Sequence, residues 1–445
     1  MAFNRLAILT LSLVAAAALG AAAAERADFD AGPRVDPLLK EARTGAEQTP
    51  EASGKPIGVV AAKAAADSVW LSFDPRDLST LRKAGLLPAF SAEENKQAAL
   101  FQVSADLVPK LSAFMHETYH RCGGFFAHAT KAQAEKDMTK TGARTAETFV
   151  IDQQAWTRPL LSRVKEENLR STIESLAAYN NRFYTADSGV AAAKWIKSRW
   201  QGFADKIPGA TTALISHDGW KQPSVVLTIP GTDKADEIVV LGGHLDSING
   251  WGNESARAPG ADDNASGIAV LTETARILAE AGFHPRRTVQ FMGYAAEEVG
   301  LRGSQDIAER YAADGKKVVA VIQYDMTNFK GSADEIYLLQ DNVDPGLTAF
   351  LGQLIDTYLG VKRNTLECGY ACSDHASWTK SGYPSACAFE SSFDEMNHHI
   401  HTADDTLSNS GGNAAHSVSF AKLAVAFAAE TAKASGSASA AFGAK

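Results

Sequence analysis

Cysteine is scarce, four in 445 residues, which excludes a disulfide scaffold, since small folds of that kind need several bridges to replace a core. No cluster of lysine and arginine occurs, and the formal net charge is -9. That balance argues against a nucleic-acid partner, because phosphate binding needs a concentrated basic face. Past the N-terminus no run is apolar enough to span a bilayer, for which about 20 residues are required. Internal repeats are also absent.

A hydrophobic content of 45% is enough for at least one large core, and the length would permit two or three domains. The chain begins "MAFNRLAILTLSLVAAAALGAAAAERADFD": a basic residue at Arg5, an apolar stretch from Leu6 to about Gly20, then small residues up to Ala24. This reads as a secretory signal spanning residues 1–24, because the apolar stretch is too short for a membrane anchor and ends in an Ala-rich cleavage pattern. Export to the periplasm or the medium makes an occasional disulfide chemically reasonable. "CGYAC" offers the pair Cys368 and Cys372. A zinc site would need two more soft ligands nearby and a redox site a shorter spacing, so a structural disulfide is the expectation. Cys122 and Cys387 have no evident partner.

From residue 25 to about 150 the sequence is rich in Ala, Lys and Glu with helical spacing, as in "LFQVSADLVPKLSAFMHETYH", and reads as a separate unit. From about Asn180 the rhythm changes to short β-branched runs alternating with longer amphipathic ones: "SVVLTI", "EIVVLGGHLDS", "GIAVLTETARILAEAG", "TVQFMGYA", "SQDIAERYAADG", "VVAVIQYDM". That alternation predicts an α/β fold, a mixed and mostly parallel central sheet with helices on both faces. The first two strands lie close enough for a hairpin. "HSVSFAKLAVAFAAETAKA" reads as the last helix, and residues 436–445 as a loose tail.

In an open α/β sheet ligands gather beyond the carboxyl ends of the strands. Polar residues at those ends are His244 and Asp246, Glu297 and Glu298, and Asp325, with Asp262 and Asp263 just ahead of a helix. Singly, a strand-end Asp is usually a turn or cap, and a lone His a hydrogen-bonded structural residue. Together they point to a metal site, since acids converging on one rim repel unless cations sit among them. His244 and Asp246 are two apart and lean to the same side of a strand, so Asp246 reads as the group that orients the imidazole. A further histidine is needed. His398, His399 and His401 in "NHHIHTADDT" all qualify by spacing, and His375 in "SDHASW" is another candidate.

"GGHLDS", "APGADDNASG", "AAEEVGLRGS", "QYDMTN", "CGYACSDHASW" and "IHTADDT", in this order and spacing from about Ile151 to the last helix, resemble the vibrio-type bacterial leucyl aminopeptidases, secreted di-zinc exopeptidases. The resemblance implies a catalytic domain over residues 151–435 of the zinc-exopeptidase type, preceded by a smaller pro-domain, a propeptide over 25–150. It implies two Zn2+ per chain, one on His244, Asp325 and a bridging Asp262, the other on Glu298, His401 and the same Asp262. Three carboxylates and a bridging hydroxide would neutralise the two ions, which suits an enclosed pocket. It assigns Glu297 as the general base acting on that zinc-bridged hydroxide, and Asp246 a supporting catalytic role. It also implies a cis peptide between Asp262 and Asp263.

Pocket positions matched by the resemblance are Met326, Tyr370, Cys372, Cys387, Phe389, Phe393, Met396 and Ile400. They are apolar as a set and favour Leu, Met or Phe at the substrate N-terminus. At Cys387 and Met396 the chain departs from the family pattern, which has Met and Tyr there. The implied partners are peptide or protein N-termini and the chain's own propeptide, as intramolecular chaperone or inhibitor, with the enzyme a monomer and neither nucleic acid nor membrane involved. His116, His120, Cys122 and His128 in the pro-region could alternatively hold a metal or cap the site. Two rivals use the same fold: a zinc-dependent glutaminyl cyclase and a non-catalytic binding ectodomain. A carboxypeptidase would need a positioned Arg that these motifs do not supply.

Overall fold

The computed structural model describes residues 68–119, 123–139, 146–250 and 254–434. The signal segment, the tail, His120 and Cys122 lie outside them.

The N-terminal unit is not purely helical, as its spacing had suggested. Strands β1 (Ser68–Phe73), β2 (Glu93–Glu94), β3 (Ala99–Ser104) and β4 (Phe125–His128) form an antiparallel sheet in the order β2-β3-β1-β4. The quoted stretch divides into β3 and the helix Val108–Tyr119. Phe101 and Val103 are buried while Gln102 and Ser104 are exposed, a period of two that a short apolar run hides when scanned for helical spacing. The core of this sheet extends into the larger unit. Leu71, Phe73, Phe101, Leu111, Met115 and Phe125 pack in one cluster with Tyr184, Ile248, Ala296 and Val299 of the larger unit.

The larger unit is built on β5 (Thr211–Ile215), β6 (Ser224–Ile229), β7 (Lys234–His244), β8 (Arg287–Tyr294), β9 (Lys317–Tyr324), β10 (Ile336–Leu339), β11 (Arg363–Leu366) and β12 (Ser385–Phe389). Their order is β11-β10-β12-β9-β7-β8-β6-β5. β7 runs parallel to β8 and β9, and β9 parallel to β12, while β6 is antiparallel to β5 and β8. The expected hairpin of β6 with β7 does not form, because β8 lies between them. β8 carries Val289 and Phe291 toward one face and Met292 and Tyr294 toward the other, and a strand apolar on both faces favours the interior of a sheet. The connection from β6 to β7 crosses the start of β8, where Gly231 N–H donates to Thr288 Oγ1 at 3.1 Å.

Alternate residues face opposite layers. Val225, Leu227, Val239, Leu241, Phe291 and Ile322 share a core with the helices Asp187–Ala204, Ala265–Glu280 and Ser417–Ala432. Val226, Val240, Met292, Tyr294 and Val321 pack with Ile307 and Trp378 from the helices Arg302–Ala313 and His375–Lys380. Burial of each large apolar side chain contributes roughly 1.5–3 kcal/mol, so the two cores fix β7, β8 and β9 against each other. Their carboxyl ends then form one rigid edge. Among the described residues, no helix is long and apolar enough to cross a membrane.

Candidate metal centre

β7 closes on His244, in register with Tyr294 at the end of β8, and Asp325 follows β9 directly. Beyond β8 the chain turns at Ala296, whose φ is 57°, a left-handed conformation uncommon for a residue with a Cβ. The turn takes Glu297 and Glu298 off the strand, so consecutive side chains need not face opposite ways. Asp246 holds it: its carboxylate oxygens accept from the backbone N–H of Glu297 at 3.0 Å and of Glu298 at 3.2 Å. The imidazole of His244 is oriented mainly by the backbone carbonyl of Asp246, 3.2 Å from Nδ1, with the carboxylate 3.6 Å away. Nδ1–H donating to that carbonyl leaves Nε2 as the ligating nitrogen.

Asp263, rather than the expected Asp262, stands between the two histidines. Its Oδ1 is 2.9 Å from Nε2 of His244 and its Oδ2 3.2 Å from Nε2 of His401. Asp262 instead accepts from the Asn328 backbone N–H at 3.0 Å and from Asn397 Nδ2 at 3.2 Å. The cause is the loop backbone, pinned by the buried Asp405, whose carboxylate accepts from the N–H groups of both Asp262 and Asp263. The cis peptide is displaced by the same single residue: it joins Asp263 to Asn264. Asn264 then caps the helix Ala265–Glu280, accepting from Gly267 N–H at 2.8 Å.

Of the three candidate histidines near position 400, only His401 enters the cluster, 2.7 Å from Oε2 of Glu298 and with φ 58°. His398 and His399 are exposed. His375 is buried at the start of its helix, and burial pushes its imidazole down to about 4. Asp325 comes 3.3 Å from Nε2 of His244 and accepts from Ser373 Oγ at 2.5 Å. His244, Asp263 and Glu298 each offer a ligand atom within 4.8 Å of the others.

These residues fit a divalent cation. Nε2 of His244, Oδ2 of Asp263, both carboxylate oxygens of Glu298 and Oδ1 of Asp325 are buried without a properly directed hydrogen bond, although several lie within 3.3 Å of one another. Buried polar atoms are otherwise almost always satisfied. Close approach without hydrogen-bond direction is the arrangement of ligand atoms aimed at a shared ion, and imidazole with carboxylate suits zinc. Without a cation, burial and Asp263 raise Glu298 to about 7, and burial with Asp374, Asp325 and Glu298 raises Glu297 well above its ordinary value, His244 opposing. Burial would lower His244, but Asp325 and Glu297 override it and lift the imidazole well above 6.5. Such a concentration of buried acids is relieved by positive charge.

Asp325 also borders an apolar cavity enclosed by Met326, Leu339, Tyr370, Cys387, Phe389 and their neighbours. Cys372, Phe393 and Met396 line it too, whereas Ile400 belongs to the same cluster without lining the cavity. Cys368 and Cys372 form a disulfide, and Cys387 is a buried free thiol. The cavity measures about 20 Å³, room for little more than one water, which needs about 10–15 Å³ of such space.

The N-terminal unit presses on this site. The ring of His116 lies 4.9 Å from that of His401, and a Cβ at Gly124 would meet the ring of Tyr370 at 3.6 Å. Arg76 donates to the carbonyl of Gly369 at 3.0 Å, and Ala127 N–H donates to that of Gly300 at 3.1 Å. Lys380 forms a half-buried ion pair with Asp137, whose carboxylate also lies 2.9 Å from Nε2 of His128. His116 and His128 therefore engage different partners and do not form one site.

Four supporting groups escaped the sequence reading. Asp405, Glu390 and Asn397 hold the loop behind Asp263, and Asp374 accepts from Gln323 Nε2 at 2.9 Å beside Ser373. Asp405 and Asp374 lie within the quoted motifs "IHTADDT" and "CGYACSDHASW", the only signal that marked them.

The eight-stranded mixed α/β sheet, with a carboxylate–imidazole cluster at its carboxyl edge, places the chain among proteins of the aminopeptidase fold. Residues 224–426 match the peptidase family M28 profile. The chain is 42% identical over 286 residues to a probable leucine aminopeptidase of Trichophyton verrucosum, covering 63% of this chain and 78% of that one. A leucine aminopeptidase 1 of Blastomyces gilchristii is 34% identical over 315 residues, covering 68% and 81%. The crystal structure of the Legionella pneumophila LapA aminopeptidase superposes with a TM-score of 0.74 at 29% identity, covering 83% of this chain and 99% of that one, and LapB of the same organism with 0.71 at 28%, covering 82% and 100%. The chain belongs to peptidase family M28.

Proposed function

We propose that the protein is an exported, monomeric aminopeptidase that removes large apolar residues from peptide N-termini, with two zinc ions as cofactors. The observation that carries this reading is the Asp263 carboxylate set between His244 and His401, 2.9 and 3.2 Å from their Nε2 atoms. His244, Asp263 and Asp325 would hold one ion, and Asp263, Glu298 and His401 the other. Bound there, the ions would supply Lewis-acid polarisation of the scissile carbonyl and a nucleophile available at neutral pH. The names of the relatives, leucine aminopeptidases among them, support the activity, and the vibrio-type motifs support the two-ion count.

Glu297 takes the proton of the attacking water and passes it to the leaving amine. Its carboxylate is buried, 4.0 Å from Nε2 of His244, and is not needed as a ligand. The N–H contact to Asp246 fixes its backbone, so it can pivot only at the side chain. The apolar cavity beside Asp325 receives the first side chain of the substrate. At about 20 Å³ it must open before a leucyl group enters, and the N-terminal unit against Tyr370 and His401 is what closes it. That unit acts as an inhibitor while attached.

The test is amine release from Leu-, Phe-, Ala- and Lys-p-nitroanilides, by the full chain and after proteolytic removal of the N-terminal unit, with and without a chelator. Chelator-sensitive release, fastest with Leu or Phe and rising at least ~10-fold once the N-terminal unit is gone, is expected. No metal-dependent release from either form would refute the aminopeptidase reading. Cyclisation of an N-terminal Gln substrate with a single zinc per chain would favour a cyclase instead.

A further inference from the structure

Behind the cluster lies a fully buried arginine that makes no ion pair among the described residues. Arg182, 1% exposed, follows Asn181 in the segment leading to the helix Asp187–Ala204. Its guanidinium donates to four backbone carbonyls: Nε to Leu245 at 2.8 Å, Nη2 to Gly260 at 2.8 Å, and Nη1 to Pro259 and, at 3.3 Å, to Leu176. Its own backbone N–H donates at 3.0 Å to Ser247 Oγ, which in turn donates at 2.8 Å to the carbonyl of Ala258. Gly260, with φ 53°, has no room for a Cβ, which would come within 2.7 Å of Nη2 of Arg182.

These contacts join two loops with different duties. Leu245 lies between His244 and Asp246, the residues that present one imidazole and pin the Glu297–Glu298 turn. Pro259 and Gly260 open the loop that delivers Asp263. A rigid planar fork can hold carbonyls from both loops at once, which a lysine's single ammonium cannot reproduce. Burial lowers this guanidinium to about 10, with Asp405, Asp246, Asp263 and Glu298 opposing, so it stays charged at neutral pH. It adds a fixed positive charge behind the acids without competing for their oxygens.

We propose that Arg182 is a positioning residue: through the carbonyls of Leu245, Pro259 and Gly260 it sets the separation of His244 from Asp263 and so the affinity of the site they share for a divalent cation. The inference rests on the proposed metal reading. A purely structural arginine would stabilise the metal-free and metal-bound protein equally. A positioning arginine stabilises the metal-bound form more, because only there does the His244–Asp263 geometry carry energy.

The experiment measures zinc affinity by competition with a chromophoric chelator, together with Tm with and without zinc, for the full chain and the variants Arg182→Lys, Arg182→Met and Ser247→Ala. The visible spectrum of the cobalt-substituted forms reports ligand geometry. Zinc affinity reduced ~10- to 100-fold in both Arg182 variants, a smaller zinc-induced rise in Tm and an altered cobalt spectrum are expected, since loss of groups orienting metal ligands has that size of effect. Ser247→Ala, which removes the backbone half of the same stitch, is expected to weaken zinc several-fold and decides the matter if the Arg182 variants do not fold. Zinc affinity within twofold of the parent in Arg182→Lys, or in Ser247→Ala should the others not fold, overturns the proposal. Absence of zinc binding by the parent would instead overturn the metal reading on which it rests.

Discussion

Two groups of buried acids sit back to back at the sheet edge, and they differ in what their oxygens do. In front, Asp263, Glu298 and Asp325 hold carboxylate oxygens with no directed hydrogen bond, facing the imidazoles of His244 and His401. Behind, Asp262 and Asp405 spend theirs on the N–H groups of Asn328, Asp262, Asp263 and Asn397. Both groups are equally hidden from water, so burial does not tell a metal ligand from a loop brace. Accounting for each oxygen's partners does.

The sharpest way to break this comparison is to exchange residues across it. Asp263→Ala should cost both ions and reduce activity beyond the ~100-fold typical of outer groups, read by metal analysis and turnover. If Asp262→Ala instead stripped the metals and Asp263→Ala kept them, the assignment of front and back would be reversed. Next in size, Glu297→Gln should retain both ions and lower kcat by about 10²–10⁴-fold with KM nearly constant, as expected for a proton-transfer group. Metal loss in this variant would place Glu297 among the ligands.

Asp262→Asn should keep its metals and lose roughly 1–3 kcal/mol of stability, the cost of disturbing a buried hydrogen-bonded acceptor. Burial raises Asp262 to about 6, so its site already disfavours the charge and a neutral amide relieves part of that cost. Chemical denaturation with and without chelator separates this effect from metal loss.

A further acid, half-buried in the N-terminal unit, extends the comparison. Burial raises Asp137, but His128 and Lys380 outweigh it and hold the carboxyl at about 2. Its contribution is full above the ordinary 3.8 and lost as pH falls toward 2. His128 is lowered, by burial first and Lys380 further, with Asp137 opposing. The unfolded form therefore binds more protons below about 6.5, and docking of the N-terminal unit weakens as pH falls below that value. Faster amide exchange at Ala127 at pH 5.5 than at pH 7.5, after correction for intrinsic rates, is the expected sign. Equal protection would sink it.

Much of the larger unit was legible because its signals are local. β-branched runs alternating with amphipathic helices specify layers through side-chain period alone, and the acids at strand ends follow from where those runs stop. The roles of the paired glutamates came only from the family resemblance, while strand period showed no more than that the chain must leave the strand for both to reach one place. Strand order was less legible. The short link from β6 to β7 suggests a hairpin, but the apolar faces of β8 claim the slot between them, a competition only the assembled sheet settles. The small N-terminal sheet was hidden because its strands are short and some of their packing partners, Ile248 and Val299 among them, lie far along the chain.

By itself the sequence determined which residue types the site contains, and that His, Asp and Glu would meet at one edge, because residue identity and strand period are local properties. Which aspartate faces the histidines, which of three histidines joins them, and that His116 lies beside His401 were decided by the tertiary structure alone. The reason is physical: each depends on the direction of a side chain leaving an irregular loop, and that direction is set by distant partners, Asp405 and Arg182 foremost, that no local pattern encodes.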